Sequence, residues 1–565
     1  MEKGMPMPKL DISLCLIVRN EAKRLADCLG SAAGLVSEIV VVDTGSEDET
    51  VAIARSFNAV VVDAEWKGDF AEARNIGLAC ASRSWILVLD ADERLVPPSH
   101  DELVRLMAQE HVYGYNVKLI SYVGAAAARE QYITDSVCRF FRNEERLRFH
   151  GMIHEEIASS VLALGRETLA DCGMTIEHDG YLDEAIAEKA KPERNVQLIQ
   201  AALVREPDNV RMWYALGTEW FQQERYDQAW PIFSRLVAEG DGGGDGTASG
   251  VGLRTDAGYF SDLVQKAVFT AWMLGKRTEA TELAERGLRL YPDFADLLEL
   301  YASLLAEQGC VKEAYKVLGR AIAAGDVSGQ YSASSGAGTY RSHYMAGLLQ
   351  ERLCRWETAW MHYEQAVEAE PGFDPAWLRL VPLGAATERL DRVGALLARC
   401  AEAGRLPART QAAVLEAAVD LRRPDWLAQQ RGALREGFER HPLALGLLAA
   451  QLGDSRGAAH AWRRWRGHAA YGPAAALQRW ALVQARRPRG SAGVASTFAT
   501  APVGTAIPFV PASASTAGQP AALPPPTPAL GAAPPPARPP ARPPARPPAR
   551  PPARPPARPP ARPPA

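Results

Sequence analysis

No C-x-x-C pair occurs among the eight cysteines of this 565-residue chain. Cys15, Cys28, Cys80, Cys138, Cys172, Cys310, Cys354 and Cys400 are scattered, which suits neither a disulfide framework nor a zinc site. Reduced, mostly buried thiols are expected. No apolar run reaches the ~20 residues that a membrane helix needs, so no transmembrane segment is expected. Pro6, Pro8 and Asp11 precede the first short apolar run, unlike a signal peptide. These absences together predict a cytoplasmic protein, with peripheral attachment at the inner face of a membrane left open. No G-x-G-x-x-G opens the first helix and no G-x-x-x-x-G-K-[ST] occurs, against a dinucleotide oxidoreductase or a P-loop NTPase. Net charge is only −4, so no basic field calls for nucleic acid. That figure hides an asymmetry: the tail from Ala537 holds seven Arg and no acid, leaving the remainder at −11.

What is present is enough for sizeable cores, with 47% hydrophobic and 23% charged residues, and the length suggests two to four domains. In the first 100 residues short apolar runs alternate with amphipathic segments. Ile12–Val18, Glu38–Val42, Ala59–Asp63 and Trp85–Asp90 read as strands, and the segments after the first three as helices. This alternation predicts a parallel, doubly wound α/β sheet. Asn20, Asp43 and Asp90 then close their strands along one carboxyl-end crevice, where such sheets bind ligands. Trp85–Asp90 delivers Asp90-Ala91-Asp92-Glu93, a cluster of hard oxygen ligands suited to Mg²⁺ or Mn²⁺. Alone, the Asp-x-Asp pair serves equally as a helix cap or a solvated turn.

Four blocks carry a resemblance. Ser13-Leu14-Cys15-Leu16-Ile17-Val18-Arg19-Asn20-Glu21, the Asp43-Thr44-Gly45-Ser46 turn, Asp69-Phe70-Ala71 with Arg74-Asn75, and Leu89-Asp90-Ala91-Asp92-Glu93 follow in order. Over about residues 12–180 the chain resembles the family 2 glycosyltransferases, bacterial members of which carry appended tetratricopeptide repeats. The resemblance implies a GT-A fold that transfers a sugar, with inversion, from a nucleotide diphosphate sugar. It implies that Asp43 contacts the nucleoside, that Asn20 and Glu21 border the same pocket, and that Arg74 and Asn75 lie under the donor. Asp90 and Asp92 match the metal-binding pair, with Asp90 also facing the donor, and His178 completes the metal or diphosphate site. Glu155, with Glu156 as the alternative, matches the catalytic base, which an inverting transfer needs to take the acceptor proton. Plainer roles stand beside these: a structural ion pair for Arg74, a helix-start acid for Glu21, a satisfied core imidazole for His178.

From Leu182 the apolar period becomes helical. Trp213, Leu216, Gly217, Trp220, Ala229, Phe233 and Leu236 fit the tetratricopeptide alternation of large and small residues, which recurs at Ala280 and Ala284, at Ala314, Leu318 and Ala321, and at Gly347, Ala359, Tyr363 and Ala366. Such units stack into a solenoid. Gly240–Gly250 and Gly325–Gly338 are expected to be flexible surface loops. The repeat signature fades beyond about Trp377, and Trp426, Trp462, Trp465 and Trp480 are expected to pack between helices. After about Ser491 the chain is Ala/Pro-rich, ending in Ala-Arg-Pro-Pro copies, and is expected to be disordered.

The fold class read from the sequence is therefore α/β plus all-α: a Rossmann-like nucleotide-sugar domain (10–182), helical repeats (183–375), a further helical region (376–486) and a disordered Pro/Arg-rich tail (487–565). The expected partners are a nucleotide-sugar donor, a glycan, lipid-linked or protein acceptor, and a protein or second copy bound through the repeats. The competing reading is a repeat scaffold whose α/β domain is inactive. A nucleotidyltransferase would place a glycine-rich basic loop after the first strand, and Arg19-Asn20-Glu21 has no glycine.

Overall fold

A computed structural model describes residues 8–96, 98–124, 131–182, 191–240, 259–421 and 423–440, with three isolated positions beyond. The first helix–strand alternation forms as its pattern requires. Strands β1 (Leu10–Val18), β2 (Val36–Asp43), β3 (Val60–Asp63) and β4 (Trp85–Val88) are parallel. Helices α1 (Leu25–Ala32), α2 (Thr50–Ser56) and α3 (Phe70–Cys80) connect them. Asp69 caps α3 by accepting from the Glu72 N–H at 2.9 Å. Central strands buried on both faces read as continuous apolar runs. Leu14, Leu16, Val41 and Leu87 pack towards α1, while Cys15, Val40, Ile86 and Val88 pack on the opposite face with Leu78 of α3.

The parallel, doubly wound expectation holds for these four strands only. The sheet continues with β5 (Glu93–Val96), β6 (Gly114–Gly124), β7 (Tyr132–Arg142) and β8 (Leu169–Leu182), in the order β3-β2-β1-β4-β7-β6-β8-β5. β7 runs antiparallel to β4 and β6, and β5 antiparallel to β8. Helix α4 (His100–Met107), its N–H of Glu102 bonded to Ser99, follows β5, and short α5 (Ala158–Leu162) precedes β8. The domain is a mixed sheet: its parallel half, β3-β2-β1-β4, joins a half in which β7 and β5 run antiparallel to their neighbours while β6 and β8 are parallel to each other.

Helical pairs follow. After α6 (Lys191–Arg205) come α7 (Val210–Gln222) with α8 (Tyr226–Gly240), α9 (Phe260–Met273) with α10 (Arg277–Leu290), and α11 (Ala295–Glu307) with α12 (Val311–Ala324). Then α13 (Tyr340–Arg352) pairs with α14 (Trp356–Ala369), and α15 (Asp374–Ala386) with α16 (Leu390–Glu402). The starts of α13 and α15, Tyr340 and Asp374, stand one tetratricopeptide repeat of about 34 residues apart. Small residues sit where the paired helices cross. A Cβ on Gly217 would meet the Phe233 ring at 2.5 Å, and Ala229, Ala280, Ala314 and Ala359 are wholly buried. Pairing therefore continues past Trp377, where the sequence signature faded, and Trp426 packs inside, its indole donating to the Leu390 carbonyl at 2.8 Å.

Two expectations are corrected. Cys15, Cys28 and Cys400 are buried, but Cys80, Cys310 and Cys354 are exposed, so the thiols are not mostly buried. The stretch Gly325–Gly338 is not a flexible loop. Its Ala333–Ser334 forms β9, which pairs with Ile133 and Thr134 of β7. β4 covers only the C-terminal half of β7, and β9 occupies the edge that β4 leaves beyond Leu87. Glycine serves closeness here: at Gly338, with φ of 75°, a Cβ would collide with the Gly325 carbonyl oxygen where the two ends of the strap meet. Residues 241–250 of the other glycine-rich stretch, Trp462, Trp465, Trp480 and the whole tail lie outside the described residues.

Candidate active site

The parallel strands end at a cavity of about 1490 Å³ between the sheet and the helical repeats. Arg19, Asn20 and Glu21 after β1, Thr44 and Asp48 after β2, and Asp90, Asp92 and Glu93 after β4 line it. The repeat side contributes Arg194, Arg211, Tyr214, Asp262 and Lys266.

Arg74 organises the centre. Its Nη2 donates to Asp90 Oδ1 at 2.7 Å and its Nε to Glu155 Oε1 at 2.6 Å, with the side chain only 6% exposed. Residues 65 positions apart in sequence are thus joined by one guanidinium fork. Arg139 adds a second cation, its Nη2 lying 3.0 Å from both Asp90 Oδ2 and Glu93 Oε1. Burial acts to raise the Asp90 pKa, but Arg74 and Arg139 outweigh it and hold this carboxyl well below the usual range. Glu93 is the reverse: burial, with Asp90 and Asp92 nearby, pushes it up to about 7 against the pull of Arg139.

Asp92 and His178 form a separate pair. Asp92 Oδ1 lies 3.7 Å from His178 Nε2, and His178 Nδ1 is 3.1 Å from Ser121 Oγ. The pairing of β5 with β8, Glu93 opposite His178, brings them together. Gly180 is needed for this: a Cβ there would meet Asp92 Oδ2 at 2.9 Å and collide with His178 Nε2. The oxygen and imidazole of this cradle suit Mn²⁺ as two ligands, whereas Mg²⁺ favours the oxygen alone. Both oxygens of Asp90 accept from arginines, Oδ1 from Arg74 and Oδ2 from Arg139, which leaves a further lone pair on each. Among the described residues no set of three His, Cys, Asp or Glu side chains is grouped for a metal.

Other expected residues act at one remove. Asn75 does not line the cavity: its amide clamps Phe149, donating to the carbonyl at 3.0 Å and accepting from the N–H at 2.9 Å. It thereby holds the segment that carries Glu155. Asp43 is 6% exposed and outside the cavity lining, accepting from the Ser46 N–H at 3.1 Å and from its hydroxyl. It shapes the turn whose Thr44 faces the cavity. Asn20, at φ of 56°, accepts from the Glu47 N–H at 2.8 Å, and the Glu21 N–H donates to Thr50 at 2.7 Å, so the two strand-end loops are laced together.

The alternatives for the base are separated by position. Glu155 faces the cavity. Glu156 does not: it accepts from the Ser159 N–H at 2.8 Å, at the start of α5, and pairs with Arg211 of α7 at 2.8 Å. Between Gly151 and Glu155 the backbone turns through His154 with φ of 53°, a left-handed conformation uncommon for a non-glycine residue. Burial holds the His154 pKa below its ordinary value.

Arg139 was missed in the sequence because β-alternation hides it. Tyr115 pairs with Phe140 and Asn116 with Cys138, so Arg139 is the extra residue of a β-bulge. A bulge re-aims one side chain, here towards Asp90 and Glu93. A charged residue inside a run of strand-forming residues was the available signal.

Residues 13–172 match the family model for glycosyl transferase family 2, and this segment is a family 2 glycosyltransferase domain. A TPR repeat-containing protein of Synechococcus elongatus is 34% identical over 211 residues, 36% of this chain and 51% of the relative. The SPbeta prophage-derived glycosyltransferase SunS of Bacillus subtilis is 28% identical over 223 residues, 39% of this chain and 51% of SunS. The chain thus spans about half the length of the curated relatives it matches. Solved structures similar to it include MamA, at 15% identity over 34% of this chain and 94% of that one, with a TM-score of 0.26. Another is glucosyl-3-phosphoglycerate synthase of Mycobacterium tuberculosis with Mn²⁺ and UDP-glucose, at 20% identity over 29% of this chain and 69% of that one, with a TM-score of 0.22.

Proposed function

We propose that the chain is an inverting, divalent-metal-dependent glycosyltransferase that moves a sugar from a nucleotide diphosphate sugar, a UDP-sugar by default, to an acceptor hydroxyl. The observation that carries this is the Arg74 fork, which holds Asp90 and Glu155 together at the strand ends of a family 2 domain.

An acceptor hydroxyl attacks the anomeric carbon from the face opposite the diphosphate, and its proton must go to a base. Glu155 Oε2, the oxygen not engaged by Arg74, receives it. Arg74 orients that carboxylate and keeps it beside Asp90. Arg19, Lys23 and Arg24 at the cavity rim attract the polyanionic donor. Asp92 and His178 would hold the cation, which supplies charge neutralisation for the leaving diphosphate.

The test is thermal-shift screening of the full chain against UDP, GDP, CDP and dTDP with and without Mn²⁺. A nucleotide at ~100 times its dissociation constant stabilises by roughly 2.7 kcal/mol. One nucleotide shifting the melt, more strongly with metal, is expected. No shift with any nucleotide would return the chain to the scaffold reading.

A further inference from the structure

Opposite the sheet, the cavity has a second polar cluster that the transfer chemistry does not use. Tyr214 of α7 and Lys266 of α9 both donate to Asp262 Oδ2, and Lys266 Nζ lies 3.2 Å from the Tyr214 hydroxyl. The Lys266 and Asp262 side chains are only 14% and 15% exposed. Tyr214 stacks on Tyr259, ring centroids 4.9 Å apart, and both line the cavity. Across from them Asp135, on β7 beside β9, is held by Ser332 of the strap and feels the charges of Asp262 and Lys266. Thr218 Oγ1 and Gln223 Nε2, in residues lining the same cavity, are buried with no hydrogen-bond partner.

We propose that this cluster is the acceptor subsite, and that it takes a neutral, polyhydroxylated saccharide end. The inference rests on the glycosyltransferase reading of the adjoining site. Two carboxylates and one ammonium, tied by a phenol, leave little net field for a strongly charged ligand. They offer fixed acceptors and donors side by side, the pattern that hydroxyl groups, which do both, can bridge. Tyrosine rings supply apolar faces with polar tips for the two sides of a sugar ring. The subsite is composite, since Asp135 comes from the sheet, Ser332 from the strap, and Tyr214, Asp262 and Lys266 from the repeats. A site built to bond hydroxyls rejects ligands that lack them.

The test uses the full chain and saturation-transfer NMR with the methyl glycosides of glucose, galactose, mannose and N-acetylglucosamine, plus a serine- and threonine-containing peptide mixture. At least one glycoside is expected to bind. Tyr214→Phe, and the double variant Asp262→Asn with Lys266→Gln, which removes both members of the ion pair together, should weaken it by about tenfold or more. Circular dichroism and the nucleotide-induced thermal shift should stay at wild-type values in both. Nucleotide binding with no glycoside binding, glycoside binding unchanged in the variants, or binding of peptide alone would each overturn the proposal. Glycoside binding that the variants abolish, in a chain that binds no nucleotide, would sink the transferase reading and leave the saccharide site standing.

Discussion

Adjacent glutamates with the same chemistry stand in different surroundings here, and the proposed transfer gives them different tasks. Glu155 lies against Arg74 in the cavity, whereas Glu156 accepts from the Ser159 N–H in the first turn of α5 and pairs with Arg211. Glu155→Gln keeps a hydrogen-bond acceptor for Arg74 but cannot take a proton. Transfer should fall by roughly a hundred- to ten-thousand-fold with nucleotide binding by calorimetry retained. Glu156→Ala should instead cost about 1–2 kcal/mol in urea unfolding, from the lost hydrogen bond and ion pair, with transfer close to wild type. Asp92→Asn weakens the oxygen ligand beside His178. The Mn²⁺-dependent part of the nucleotide thermal shift should vanish while the metal-free part persists. An unchanged metal response would move the cation elsewhere.

Elements decide what single residues can reach. The bulge in β7 turns Arg139 to the site, and the β5–β8 pairing sets Asp92 against His178. Neither is visible as a local pattern, because a bulge breaks the period of two and a strand pairing joins residues some 85 apart. Helix pairing also buries an unusual polar group. His362 of α14 lies 3.1 Å from both His343 Nδ1 and the Tyr315 hydroxyl, and burial, with His343 adding, lowers its pKa to about 4. The folded repeat keeps this imidazole neutral where the unfolded chain, near 6.5, binds a proton. Its contribution is full above pH 6.5 and is lost as pH falls towards 4, by roughly 2–3 kcal/mol in all. Urea midpoints by circular dichroism should drop across that window, and His362→Gln should flatten the dependence.

At the scale of the molecule, one strap makes two modules share a site. Arg341 of α13 reaches Asp296 at 2.8 Å and Glu299 at 2.7 Å, both wholly buried on α11, and donates to the Ser335 carbonyl. This network holds the strap while the Ser335 N–H donates to Tyr132 of β7 at 2.9 Å. Arg341→Met leaves two buried carboxylates without their cation, at a cost of about 3–5 kcal/mol. Residues 326–338 should then become cleavable by a nonspecific protease well before the sheet, and acceptor KM should rise more than kcat falls. Resistance of the strap to cleavage in this variant would show that β9 pairing alone secures it.

The sequence by itself determined the parallel half of the sheet, the helical period of the repeats and the order of the site blocks, because these depend on residues near one another in the chain. Asp90 and Asp92 were legible as acids closing a strand, whereas Glu155 and His178 were expected from the family resemblance alone. Tertiary structure alone decided that Arg139 joins Arg74 on Asp90, that Asp92 lies against His178, that Glu155 and not Glu156 lines the cavity, and that Asn75 clamps Phe149. It also turned a glycine-rich stretch from an expected loop into β9. The reason is the same in each case: a buried charge or an open strand edge must find a partner, and which partner is near is set by how distant segments pack.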